Sequence, residues 1–176
     1  MMEHPFKIIL TILFLLLGSS CTLHAQQSST LDSLKFLEGS WEGKGTGDPG
    51  QSIGEFSFGF DLQGKVLIRK SFAEYPATDQ RPAFRHDDMM IVYKESGKPI
   101  SAIYFDNEGH VINYTVNFSD NRLSLVFLSD HTSSSPRFRL TYTKINDGSL
   151  NIKFEIAPPG KPEEFTGYIE AVVYKK

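Results

Sequence analysis

The sequence predicts an all-β protein: about ten antiparallel strands run up and down and close into a barrel, with one short N-terminal helix capping an end. Three observations predict it. Apolar and polar residues alternate with period two through most of the chain after Trp41, and turn residues interrupt that alternation at nearly regular intervals. Helical periodicity is confined to one segment near the start. Phenylalanine and tyrosine, with 14 and 7 copies, sit mostly in the alternating runs, where aromatic side chains suit a pleated surface.

Taken in order, the chain opens on a targeting segment. Lys7 precedes the apolar run Ile8 to Leu17, far shorter than the roughly 20 residues that a membrane-crossing helix needs. It reads as the apolar region of a signal peptide over residues 1–25, with cleavage after Ala25 favoured and lipid attachment at Cys21 as the alternative. On either reading the protein is exported, to the periplasm or beyond, and its only cysteine cannot form an internal disulfide. Residues 26–176 remain as a single domain, long enough to bury most of its apolar surface without such a staple.

The first element of that domain is a helix of about two turns over residues 30–38, because Leu31, Leu34 and Leu37 are spaced three apart ahead of Gly39. Ten runs with strand character follow: Trp41 to Thr46, Ile53 to Asp61, Lys65 to Glu74, Asp88 to Lys94, Ile100 to Asp106, His110 to Phe118, Arg122 to Leu128, Arg137 to Ile145, Leu150 to Ile156 and Phe165 to Lys175. Turns such as ESGKP at 95–99, DNEG at 106–109 and NDG at 146–148 join them as hairpins. The stretch from Pro76 to Phe84 lacks a strand pattern and reads as a loop. Phe56, Phe58, Phe60 and Leu62 alternate with Glu55, Ser57, Gly59 and Asp61, and the same one-sided pattern recurs at 112–118, 137–143 and 150–156. A sheet with one apolar face and no helical layer buries that face by curling onto itself. A barrel of so many strands is too wide for its own side chains to fill, so a cavity is expected.

The pattern Phe36-Leu37-x-Gly39-x-Trp41-x-Gly43-x-Gly45 resembles the calycin barrels, the lipocalins and fatty-acid-binding proteins, and more closely the nitrobindin-type barrels and related bacterial domains of unknown function. The resemblance implies that Trp41 closes the barrel floor over the helix, and Gly43, Gly45 and Gly47, on one face, leave room for a neighbouring strand or a ligand. Nitrobindins hold haem through a histidine near the start of the last strand. This chain has Glu164, Phe165, Thr166, Gly167 and Tyr168 there, so no cofactor is expected and haem is disfavoured. Fatty-acid-binding barrels fix a carboxylate with buried arginines, for which Arg69, Arg137 and Arg139 are the candidates. They lie on the strand parity opposite Ile68 and Phe138, which makes solvent their default environment.

Composition narrows the function further. With 18 basic against 21 acidic residues and no basic run, the chain lacks the electrostatic footprint of a nucleic-acid-binding protein. It has no G-x-S-x-G elbow, H-E-x-x-H or C-x-x-C motif, and no metal site is expected. The densest polar group, Asp106, Asn107, Glu108 and His110, reads first as turn chemistry; Arg85, His86, Asp87 and Asp88 read first as a charged loop end. Two function classes follow. One is a binding module enclosing a small apolar or amphipathic molecule, lined by Phe56, Phe58, Phe60, Tyr104, Ile112 and Tyr114, with Arg69, Arg139 or His110 orienting a polar head. The other is an enzyme using the same cavity, with His110 and Asp106 or Glu108 as acid/base groups.

Overall fold

The computed structural model describes residues 31–43 and 53–176; the leader, Cys21, Gly45 and Gly47 lie outside them. The ten strands are β1 (Gly39–Gly43), β2 (Ile53–Asp61), β3 (Val66–Tyr75), β4 (Phe84–Lys94), β5 (Ile100–Asp106), β6 (Val111–Phe118), β7 (Ser124–Ser129), β8 (Arg137–Asn146), β9 (Ser149–Ala157) and β10 (Thr166–Lys175). Each pairs antiparallel with its sequence neighbour, and β1 pairs with β10 through Trp41 opposite Lys175, so the sheet closes into a barrel. This is the all-β, ten-stranded up-and-down architecture that the alternation and turns predict.

Two elements depart from the sequence expectation. The N-terminal cap is a six-residue 3-10 helix, Asp32–Leu37, in place of a two-turn α-helix. The spacing explains it, since side chains three apart eclipse at three residues per turn and Leu31, Leu34 and Leu37 then share one buried face. Strand β4 begins at Phe84 rather than Asp88, because the Phe84 ring stacks on Tyr75 at 4.4 Å and the ladder to β3 runs through Arg85, His86 and Asp87. The charged run RHDD therefore lies within a strand, and alternate members of it face the barrel interior.

The core fills one end of the barrel. Leu31, Leu34 and Leu37 of the cap meet Trp41, Phe58, Leu67, Met90, Val92, Val116, Leu125, Phe127, Tyr142 and Leu150 in one cluster. Trp41 is fully buried; its indole Nε1 donates to the Leu37 carbonyl at 2.7 Å, and its ring stacks on Phe56 at 6.3 Å. A single aromatic thus ties the cap to the first strand. Gly39, which precedes it, has φ +117, a conformation that side chains rarely adopt. Gly43 lets β1 approach β10, since a Cβ there would stand 3.0 Å from Val173 Cγ1.

Candidate functional site

Above this floor the barrel is hollow. The inward positions of β3 run from Leu67 at the floor through Arg69, Ser71 and Ala73 to Tyr75 at the mouth. Those of β4 run from Val92 and Met90 to Asp88 and His86, and those of β5 from Ala102 to Tyr104 and Asp106. β3 and β5 change from apolar to polar at the level of Arg69 and Tyr104, which flank Met90, and β4 changes one pleat higher, at Asp88. Across the ring, β8 offers Phe138 and Leu140, β9 offers Ile152, Phe154 and Ile156, and β10 offers Ile169, Ala171 and Val173. Since β4 and β9 lie five places apart in a ring of ten, the polar and apolar walls face each other. Between them lies a cavity of about 700 Å³, open at the mouth and within the size range of small-molecule sites.

Arg69 is the centre of the polar wall. Its Nη1 donates to Asp88 Oδ1 at 2.5 Å and its Nη2 to Ser71 Oγ at 3.0 Å, while the guanidinium carbon lies 5.3 Å from the centre of the Phe56 ring. The register places Ser71 directly opposite Asp88 on β4, so the pair is set by strand pairing itself. Burial works against the Arg69 charge, but Asp88 and the hydroxyls of Tyr142, Tyr104 and Tyr114 outweigh it, and its pKa is raised. Burial likewise pushes up the phenols of Tyr104 and Tyr114, and that of Tyr142 to about 12, so all three stay protonated at neutral pH. The Arg69 Nε–H and the Tyr142 hydroxyl are buried with no hydrogen-bond partner among the described residues. A charged, donor-rich patch is thereby built into an otherwise greasy tube.

The rim is a second polar layer, organised by the turn after β5. Gly109 takes φ +92, and Asp106 Oδ1 accepts from the backbone N–H groups of Glu108 at 3.0 Å and His110 at 2.8 Å. Asp106 Oδ2 stands 2.8 Å from His110 Nδ1 and accepts from the Tyr104 hydroxyl at 3.4 Å. Burial of Asp106 opposes its charge, but the hydrogen bonds from His110 and Glu108 prevail and hold its carboxyl below the ordinary value. His86 bridges the layers, with Nδ1 at 2.8 Å from Glu108 Oε1 and Nε2 at 3.0 Å from the Tyr104 hydroxyl. Elsewhere on the rim, the guanidinium of Arg81 covers the stacked rings of Phe84 and Tyr75, at 4.6 Å and 5.2 Å.

The structure sorts the residues that the sequence singles out. Phe56, Tyr104, Ile112, Tyr114 and Arg69 line the cavity. Phe58 lies in the floor beneath it and Phe60 packs half-buried against the floor, so neither lines the cavity. Arg69 turns inward, against its default reading, because the floor residue Leu67 fixes the parity of β3. Arg139 is on the outer face, where Nε donates to Glu155 Oε2 at 2.6 Å and the guanidinium covers the Phe165 ring. His110 stands on the rim with its side chain 61% exposed, whereas its partner Asp106 is 4% exposed. The imidazole that turns further inward is His86, which with Asp88 was hidden in the charged run at the start of β4.

No protein-family model matches the sequence, and no curated protein matches it either. The described residues contain no group of three or more histidine, cysteine, aspartate or glutamate side chains placed to hold a metal ion. Of the residues weighed for haem, His110 sits on the rim with Nδ1 against Asp106, Tyr168 lies at the mouth and Tyr174 on the exposed surface. No helix among the described residues is long and apolar enough to cross a membrane.

Proposed function

We propose that this chain is an exported, calycin-like barrel that binds one small amphipathic molecule, its apolar body against β8–β10 and its polar head against β3–β5. The observation behind this reading is the opposition of the two walls within one cavity. A purely apolar ligand would leave Arg69, Asp88 and Tyr104 desolvated without gain, and a purely polar one would leave eight apolar side chains facing it. The apolar segment at residues 8–17 supports export, and the G-x-W opening of β1 supports the calycin comparison. Native mass spectrometry of the protein purified from its own host tests the reading directly. A retained species with an alkyl or aromatic body and a polar head is the expected result; protein that carries nothing and releases no apolar fluorophore to any amphiphile would sink it.

A second reading, acid/base catalysis on such a molecule, draws on the 2.8 Å contact between His110 and Asp106 at the mouth. Conversion of a bound amphiphile that stops in both His110→Ala and Asp106→Asn would favour it. Binding that persists in both variants, with no product, leaves the carrier reading in place.

A further inference from the structure

We infer that the head group of the occupant is uncharged and carries a hydrogen-bond donor, as a hydroxyl or primary amide does, and that the cavity discriminates against carboxylates. This rests on the binding reading above and narrows its ligand class. Two of the guanidinium's five N–H groups are already taken. Asp88 accepts from Nη1, Ser71 from Nη2, and the Nε–H is buried. Asp88 itself is 7% exposed and neutralises the charge of Arg69 at contact distance.

A ligand carboxylate placed against this wall would therefore set two anions around one guanidinium. In a cavity whose opposite wall is apolar below Tyr168, that second anion would lose its water beside a guanidinium whose charge Asp88 already balances. Of the other arginines of the lining, Arg85 pairs with Asp87 and Glu74, and Arg81 lies over the rings of Tyr75 and Phe84 at the mouth. The rim adds Asp106 and Glu108, each within 2.8 Å of an imidazole nitrogen.

What the wall offers instead is an acceptor and several donors. Asp88 Oδ2 is 3.9 Å from His86 Nε2, beyond hydrogen-bond distance, and is the oxygen not used by Arg69. A hydroxyl or amide N–H can donate to it, which a carboxylate cannot. The same head can accept from the phenol of Tyr114, which lines the cavity, whereas the Tyr104 hydroxyl already donates to Asp106. Buried arginine here is a structural partner of Asp88 first.

Competition of dodecanoic acid, dodecanol and dodecanamide for the purified protein loaded with phenylnaphthylamine, near neutral pH, tests this. Dodecanol and dodecanamide are expected to bind at least about tenfold more tightly than dodecanoic acid, a difference on the scale of one unpaired buried charge. Asp88→Asn, which frees Arg69, should move the preference toward dodecanoic acid by a similar factor. Arg69→Gln combined with Asp88→Asn restores charge balance and should keep the amide preference, which guards against a single variant that fails to fold. Dodecanoic acid binding as tightly as the amide to the unaltered protein overturns the inference alone. Binding of none of the three overturns the reading on which it rests.

Discussion

The lower and upper halves of the barrel are made by the same ten strands and the same inward parity, yet they do different things. In the lower half, Trp41, Phe127, Tyr142, Leu125 and Leu150 interlock with the cap and leave no room. In the upper half β3, β4 and β5 carry Arg69, Asp88 and Tyr104, which face β8–β10 across open space. Since the walls are continuous, the difference lies in side-chain volume and polarity, not backbone path. The floor provides the stability that lets the upper half remain hollow and polar.

The sharpest test of that division is Trp41→Ala. Emptying this fully buried site, and losing the Nε1 bond to Leu37, should destabilise the protein by about 3–5 kcal/mol in urea melts. A loss under about 1 kcal/mol would mean that the floor is not where stability resides. Arg69→Met should cost less, about 2–3 kcal/mol, because it strands Asp88 at the edge of the cavity where some water reaches it. Adding Asp88→Leu should recover most of that loss, since it removes the stranded charge. On the apolar wall, Phe154→Ala should cost only about 1–2 kcal/mol, because Phe154 is half-buried and already borders open space. Equal losses at Trp41 and Phe154 would erase the distinction between floor and wall.

A smaller effect comes from the outer surface, where Glu155 takes Arg139 Nε at 2.6 Å and Lys153 Nζ at 2.9 Å. The hydrogen bond from Arg139, with that from Lys153, lowers its carboxyl to about 2 from an ordinary 4.5, against the opposing effect of burial. A carboxylate whose folded pKa is depressed stabilises the fold above its unfolded value, and that stability fades as pH falls toward the folded one. Melting temperature should therefore decline between about pH 4.5 and 2, and Glu155→Gln should flatten that decline. The smallest expected effect is none at all. Titrated hemin should give no Soret band sharper than that of free hemin, and a tight complex abolished by His110→Ala would show that the rim can be rebuilt around iron.

The fold was legible because strand parity and turn chemistry are local properties, and both recur in Phe56-x-Phe58-x-Phe60 and in the DNEG turn. The Leu31, Leu34 and Leu37 repeat was legible as one buried stripe, although spacing of three marked a 3-10 helix rather than an α-helix. The site was harder. Arg69, His86 and Asp88 occupy inward positions that an apolar-in rule assigns to solvent, and that rule fails above the floor. The signal was present in register. Reading β3, β4 and β5 side by side, the apolar level of Leu67, Val92 and Ala102 gives way to Arg69 and Tyr104 on either side of Met90, and then to a wholly polar level of Ser71, Asp88 and Asp106. No single strand shows this, because it depends on which residues become neighbours across the sheet.

Ring closure has a consequence for how the chain reaches this state. Nine of the ten neighbour pairs join consecutive strands, and one, β1 with β10, joins the two ends of the domain. The nine can form as hairpins over short chain separations, whereas the tenth must wait until the ends of the sheet meet, which places its entropic cost late in folding. Until then β1 and β10 expose unpaired backbone edges able to recruit another chain. A chain lacking residues 166–175 would never pass that step, and would stay an open sheet with β1 and β9 as permanent edges.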